Sequence, residues 1–305
     1  MGKNDFFKDL PRRGAKHLLA TMAWTAFCTG TVYAQEWIDV TDTYITNADF
    51  STGTTDGWDA GTALPGVNAT WLNAEFFQSY NSASQNVLGL KAGHYKLTVQ
   101  GFHRAGGNDN GAAYNAGTEV INAYLFAGKD SVKLKSLYSE PADASVANQL
   151  NGWPDGMEGL NAWLTKYPES YLNEVSFTVQ QDGSGMLMGI ASNTNAGKTW
   201  SCWDNFKLYF EGSAFDAFSV KISKLETLRD SLETLGIASA SELTALVEQY
   251  GSYNENTPEE EIAAASVILE ENTATALGLC TKGAELTASM AKATGLLAQM
   301  EDGTY

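Results

Sequence analysis

Cysteine is scarce in this chain, three residues in 305, and only Cys202 and Cys280 lie beyond the amino-terminal region. They are far apart and fall in segments of different composition, so no disulfide framework holds the molecule together. Histidine is as rare. Past residue 34 only His94 and His103 occur, without a His-Glu-x-x-His run, a Gly-x-Ser-x-Gly elbow or a cysteine pair at metal spacing. The chain therefore lacks the usual marks of hydrolase or zinc chemistry, and it reads as a non-enzyme. Positive charge is short too, with 19 Lys and Arg against 36 Asp and Glu. Such a chain repels nucleic acid and anionic lipid. Beyond the amino terminus no apolar run is long enough to insert in a membrane.

The first 34 residues stand apart. Arg12, Arg13 and Lys16 precede an apolar run from Leu18 to Val32 and a Val32-Tyr33-Ala34 cleavage pattern, so residues 1–34 read as a signal peptide. The apolar run is about 15 residues, short of the ~20 that span a bilayer. Cys28 follows Phe27, a residue too bulky for the small position before a lipid-anchored cysteine. Cleavage near Gln35 removes five basic and two acidic residues and leaves a formal charge of −20. The expected location is secreted, extracellular or at the cell surface, with the periplasm as the alternative. The remaining residues suit two domains.

Composition changes near Gly212. Before it, Gly, Asn, Thr and aromatics sit in short alternating runs between turn signals, the pattern of an antiparallel β-sandwich over residues 36–211. Tyr95, Leu97 and Val99 alternate with Lys96, Thr98 and Gln100. Val175–Val179 forms a second strand, and Gln181–Gly185 a hairpin-like turn into Met186–Ala191. Val120–Ala127, apolar on both faces, suits a central strand. The last strand, Asp204–Phe210, directs Phe206, Leu208 and Phe210 inward with Asp204, and Trp203, Lys207 and Tyr209 outward. Two insertions, 105–117 and 138–171, interrupt the strands, the second with a short helix near Met157–Lys166; loops this long often carry function.

After Gly212, Ala, Leu and Glu recur at helical spacing. Phe215, Phe218, Ile222, Leu225, Leu228, Leu232 and Leu235 form one apolar stripe. Ser239 with Glu242 reads as a capping box, and Thr257-Pro258-Glu259-Glu260 as another helix start. Beyond Gly278 the pattern weakens. The expectation is a small α-helical bundle over 214–303, acting as a spacer or as a docking surface for protein partners.

Ile45-Thr46-Asn47-Ala48-Asp49-Phe50 with Gly57-Trp58 resembles the opening strand of galactose-binding-like jelly-roll modules, and Trp203-Asp204-Asn205-Phe206-Lys207-Leu208 resembles their closing strand. The run from Ala92 to Arg104 is similar to the version common in secreted proteins of gut Bacteroidetes. The resemblance covers roughly Ile38 to Glu211 and implies a carbohydrate-binding module, in which aromatic rings stack on sugar faces and polar side chains bind hydroxyls. It also implies a structural calcium joining the two strands through Asp204, Asn47 and Asp49. The other reading of Asp204 is a hydrogen bond to backbone, since an unpaired buried carboxylate is costly.

Trp153 and Trp163, in the long insertion, are platform candidates, or else the small core such a loop needs. Trp200 and Trp203 are further ligand-binding candidates. Arg104 either donates to a ligand or pairs with a surface carboxylate. Trp58 and Trp71 read as packing residues, and Glu75 as a hydrogen-bond partner within the fold. The leading function is a non-catalytic glycan-binding module with a helical spacer. The alternatives are an adhesion or structural protein contacting other proteins, and an accessory region of a larger glycoside hydrolase or peptidase.

Overall fold

The computed structural model describes residues 36–59, 66–78, 81–109, 111–193 and 197–301. The signal peptide expected at 1–34 lies outside the described residues. The strands are β1 (Glu36–Asp39), β2 (Gly66–Asn68), β3 (Asn73–Phe77), β4 (Asn81–Leu90), β5 (Gly93–Arg104), β6 (Ala123–Ala127), β7 (Asp130–Lys133), β8 (Lys135–Ser136), β9 (Gln149–Leu150), β10 (Trp153–Pro154), β11 (Leu172–Val179), β12 (Ser184–Ser192) and β13 (Trp200–Gly212). The helices are α1 (Thr41–Tyr44), α2 (Ala112–Asn115), α3 (Met157–Lys166), α4 (Ala214–Thr234), α5 (Ala240–Tyr250) and α6 (Glu259–Glu301).

The protein is a β-sandwich followed by helices. Its larger sheet runs β11-β5-β13-β3-β2, with β1 on β13 and the short β8 lying parallel to the end of β5; the smaller sheet runs β4-β12-β6-β7. Every other named strand pair is antiparallel. Between the sheets lies one apolar layer that includes Leu97, Val99, Leu125, Ile190, Trp203 and Leu208. Each such side chain contributes about 1.5–3 kcal/mol on leaving water, which makes this layer the main source of stability.

Alternation in β5 is as the sequence predicts, with Tyr95, Leu97 and Val99 buried in the inter-sheet core. Three local expectations are corrected. The turn at Gln181–Gly185 is not a hairpin, because β11 pairs with β5 in the larger sheet while β12 pairs with β4 and β6 in the smaller one. It carries the chain from one sheet to the other. The central strand begins only at Ala123, between β12 and β7, and Val120 lies before it in solvent.

The third correction concerns Trp203. Expected outward, it is fully buried in the core against Phe76, ring centroids 4.7 Å apart. The cause is a β-bulge. The register on β5 steps from Asp204↔Gln100 to Lys207↔Thr98, so Asn205 and Phe206 together oppose Val99. Asn205 takes the left-handed conformation, φ 57°, which asparagine tolerates better than most residues. One extra residue reverses the alternation, so Trp203 and Phe206 both face inward.

The helical part packs on itself. Phe218, Leu225, Leu228 and Leu232 of α4 are buried against Leu243 and Val247 of α5 and Ile262, Ala265 and Leu269 of α6. The capping box is formed at Ser213, not at Ser239. Ser213 Oγ accepts from the Asp216 N–H at 3.2 Å, and the Asp216 carboxylate accepts from the Ser213 N–H at 2.9 Å. Ser239 has helical dihedrals, φ −64° and ψ −14°, and makes no side-chain cap, because a hydroxyl reaches the next turn only from the extended cap conformation. Helix α6 continues for 43 residues, past the predicted weakening at Gly278. Among the described residues, no helix is long and apolar enough to cross a membrane.

Candidate functional site

The larger sheet has an outer face that the smaller sheet does not cover. Phe102, Trp200 and Cys202 point to it, and the long insertion folds over them. Leu160, Trp163 and Leu164 of α3 pack there with Leu137 and Tyr171, forming a second apolar core. Trp163 is fully buried in this core, 4.8 Å from the Tyr167 ring and 6.3 Å from that of Tyr171. Trp163 and Trp203 thus lie on opposite faces of one sheet, both closed to ligand. This corrects the expectation that either ring is a platform. The insertion needs Trp163 for its own core, and the bulge turns Trp203 inward.

Beside the insertion the outer face stays open. A cleft of about 580 Å³ is lined by Glu75 and Phe77 of β3, Arg104 of β5, Leu150 of β9, Trp200 of β13, and loop residues that include Asn108, Asp155 and Lys198. Strand alternation explains the wall: Glu75 lies opposite Cys202, Phe77 opposite Trp200, and Trp200 opposite Arg104. Phe77 is 51 % exposed and Leu150 45 %. They give the cleft apolar edges.

Arg104 organises the floor, although it is only 5 % exposed. Its Nε donates to Gly106 O at 2.9 Å, Nη1 to Asp155 Oδ1 at 3.0 Å and Nη2 to Lys198 O at 3.4 Å. Its guanidinium carbon lies 5.2 Å from the centroid of the Trp200 ring, a cation–π arrangement. The Trp200 indole N–H donates to Glu75 Oε2, so Glu75 has the internal hydrogen-bond role read for it. Burial raises the Glu75 pKa, while the indole hydrogen bond and the Arg104 charge pull it back. The sequence brings Arg104 and Trp200 to one site. Phe77, Asn108, Leu150, Asp155 and Lys198 were not read as site residues, because they converge from separate loops and strands and carry no common motif.

Trp153 lies next to this site and not in its wall. Half-buried, it pairs with Leu150 across β9–β10, donates from Nε1 to Glu140 O at 3.2 Å, and packs edge-on to Tyr138. Tyr114 is exposed on α2. Trp58 is buried in the inter-sheet core, as read, stacked on Phe50 with centroids 5.5 Å apart.

His103 and Ser201 form the other polar pair of note, Nδ1 to Oγ 2.8 Å. Both are buried. Burial, and secondarily the Arg104 charge, lowers the His103 pKa to about 4, so the imidazole is neutral at ordinary pH. Alternation turns it away from the cleft, to the face opposite Arg104.

Asp204 is buried with a local partner, the Asn205 N–H at 2.7 Å. Desolvation raises its pKa to about 7, the backbone donor lowers it and the nearby Asp49 charge raises it further. Asn47 is engaged elsewhere. Its Oδ1 accepts from Thr52 N and its Nδ2 donates to Thr54 O within its own loop. Among the described residues no group of three or more His, Cys, Asp or Glu is placed to hold a metal. Two carboxylates are fewer oxygens than calcium takes, so the side chains alone do not make the site.

No protein-family model matches the chain, and no curated protein matches it. Solved structures similar to it include the CBM22-1 xylan-binding domain of Paenibacillus barcinonensis Xyn10C, at 14% identity and a TM-score of 0.28, covering 59% of this chain and 98% of that one. Another is the CBM22-1–CBM22-2 tandem of the same enzyme, at 12% identity and a TM-score of 0.28, covering 61% of this chain and 49% of that one.

Proposed function

We propose that this protein binds a glycan in the cleft beside Trp200 and Arg104, without chemistry, and that its helices space or dock the sandwich outside the cell. The observation that carries the proposal is the lining of the cleft. Phe77 and Leu150 offer exposed apolar edges to the C–H face of a sugar ring, while Asn108, Asp155 and Lys198 give the cleft polar side chains. Its size of about 580 Å³ holds a few sugar units. The charged lining residues are Arg104 and Lys198 against Glu75 and Asp155, which cancel, so an uncharged glycan fits better than an anionic one.

A glycosidase needs two carboxylates at liberty to hand over a proton and to activate water or attack. Here Glu75 is tied to Trp200 and Asp155 to Arg104. The ligand should be recovered intact. A structural calcium at Asp204 and Asp49 belongs to the same proposal, with backbone and water oxygens completing its shell. Thermal melts with calcium and with a chelator test it: equal melting temperatures would remove calcium from the account.

The test of binding is a glycan screen with the purified chain, followed by calorimetry on any ligand found. Phe77→Ala and Leu150→Ala remove exposed side chains and should weaken binding about tenfold each, some 1.4 kcal/mol, with the fold intact. Binding that ignores both substitutions, or no binding to any plant, host or microbial glycan, would overturn the proposal.

A further inference from the structure

Helix α6 carries one apolar stripe over two settings. Steps of alternately three and four residues lead from Ile262, Ala265 and Leu269, across the polar Asn272, through Ala276, Leu279 and Gly283 to Leu286, Met290, Ala293 and Leu297. That repeat averages 3.5 residues, the spacing of helices that wind on a partner. Over its first half the stripe is buried under α4 and α5. Gly283 marks the limit of this cover, since a Cβ there would meet Leu235 at 2.9 Å and Ile237 at 3.0 Å.

Past Gly283 the stripe continues without a cover. Leu286 and Met290 are each 62 % exposed and Leu297 61 %. A helix of five turns with Gly295 within it is marginal in water by itself. Something must pack on this face for the helix to hold.

Charge narrows what that is. The whole chain is acidic, formally −17, and from Gly212 to Leu277 twelve acidic residues face three basic ones. Between Gly278 and Glu301 the count is even: Lys282 and Lys292 against Glu285 and Glu301. This is a stretch where another copy of the same acidic chain can approach without repulsion. Antiparallel approach also keeps the two acidic bundles at opposite ends, where parallel pairing would press them together.

We infer that a second copy of this chain covers the stripe, the segments from Leu286 to Leu297 pairing antiparallel about a two-fold axis. The register that uses only uncovered positions sets Leu286 against Leu297 of the other copy and Met290 against Ala293, each contact occurring twice, as an isologous interface requires. The interface prolongs the packing that α4 and α5 make on the first half of the same helix.

Sedimentation equilibrium of the purified chain tests this, from about 1 to 100 µM. A monomer–dimer equilibrium is expected, and Leu286→Glu with Leu297→Glu should weaken it about a hundredfold or more by burying charge at the contact. Both positions are exposed in the single chain, so the melting of the sandwich should not change. A spin label at Ala284→Cys, with Cys280→Ser, reads orientation: labels about 20–25 Å apart fit the antiparallel register, and about 10 Å the parallel one. A monomer throughout, a dimer indifferent to both glutamates, or labels at the shorter distance would overturn the inference.

Discussion

Replacing Trp200 by Phe keeps a ring under Arg104 but takes the indole N–H from Glu75. The structure predicts that the cost depends on pH. Glu75 is partly buried in the cleft wall, which raises its pKa above the ordinary 4.5, while the Trp200 hydrogen bond opposes that rise. A hydrogen bond to an ionised group contributes about 1.5–3 kcal/mol, and the smaller ring leaves a packing defect of about 1–2 kcal/mol. The first part is present in full only while Glu75 is ionised, since a protonated carboxyl accepts more weakly. Without the indole donor the folded-state pKa rises further, so the folded variant holds its proton to higher pH than the unfolded chain does. Its stability then falls more steeply than the wild type's as pH rises from 4.5 through that raised value. Urea unfolding of both proteins at pH 4 and pH 8 should give a difference of about 1–2 kcal/mol at the lower pH and about 3–4 kcal/mol at the higher. A difference of the same size at both would show that Glu75 does not depend on the indole, and the account of the cleft floor would fail.

Other substitutions test the remaining structure by chemical denaturation. Trp163→Ala should destabilise by about 3–5 kcal/mol, because the ring fills the core beneath the insertion; a loss under about 1 kcal/mol would return Trp163 to the surface. Gly101→Ala places a Cβ 2.6 Å from Cys202 O and 2.9 Å from Trp203 Cβ, and should cost about 1–3 kcal/mol with a changed near-UV signal from Trp203. Ser213→Ala should lose about 1 kcal/mol of helix stability and Ser239→Ala under about 0.5, because only Ser213 caps; the reverse order would contradict the capping seen here.

The division into sandwich and bundle was legible because it is written in period: two-residue alternation before Gly212 and three-to-four spacing after it. At Trp203 a local irregularity outweighed the period. Trp203 was read from the phase of Phe206 and Leu208, and the phase was right for them. Nothing in Trp203-Asp204-Asn205-Phe206 announces that Asn205 adopts a positive φ and shifts the count by one. An asparagine between two aromatic residues in a strand is a weak sign of such a bulge, and here it was the available one.

The same bulge explains why only part of the site could be read. Up to Trp203, the odd residues of β13 face the smaller sheet and Trp200 and Cys202 face the insertion; after the bulge the even residues face inward. A single strand therefore serves two cores, one on each face of the larger sheet, and the site forms where the outer core stops short of the strand end. Trp200 was visible from its place at the start of the closing strand, and Arg104 from its place at the end of β5. Asp155 and Lys198 come from loops, and Leu150 from the short β9, whose positions depend on how α3 settles over Phe102 and Trp200. That position is set by three-dimensional packing of Trp163 and Tyr171, which no spacing along the chain expresses. A glycine at Asn205 would keep the bulge and this arrangement, whereas a valine, which resists positive φ, would favour the regular register and drive Trp203 outward. Near-UV circular dichroism and tryptophan emission would then report an exposed indole in the valine variant alone, and an unchanged spectrum would show that the bulge does not hold Trp203 inside.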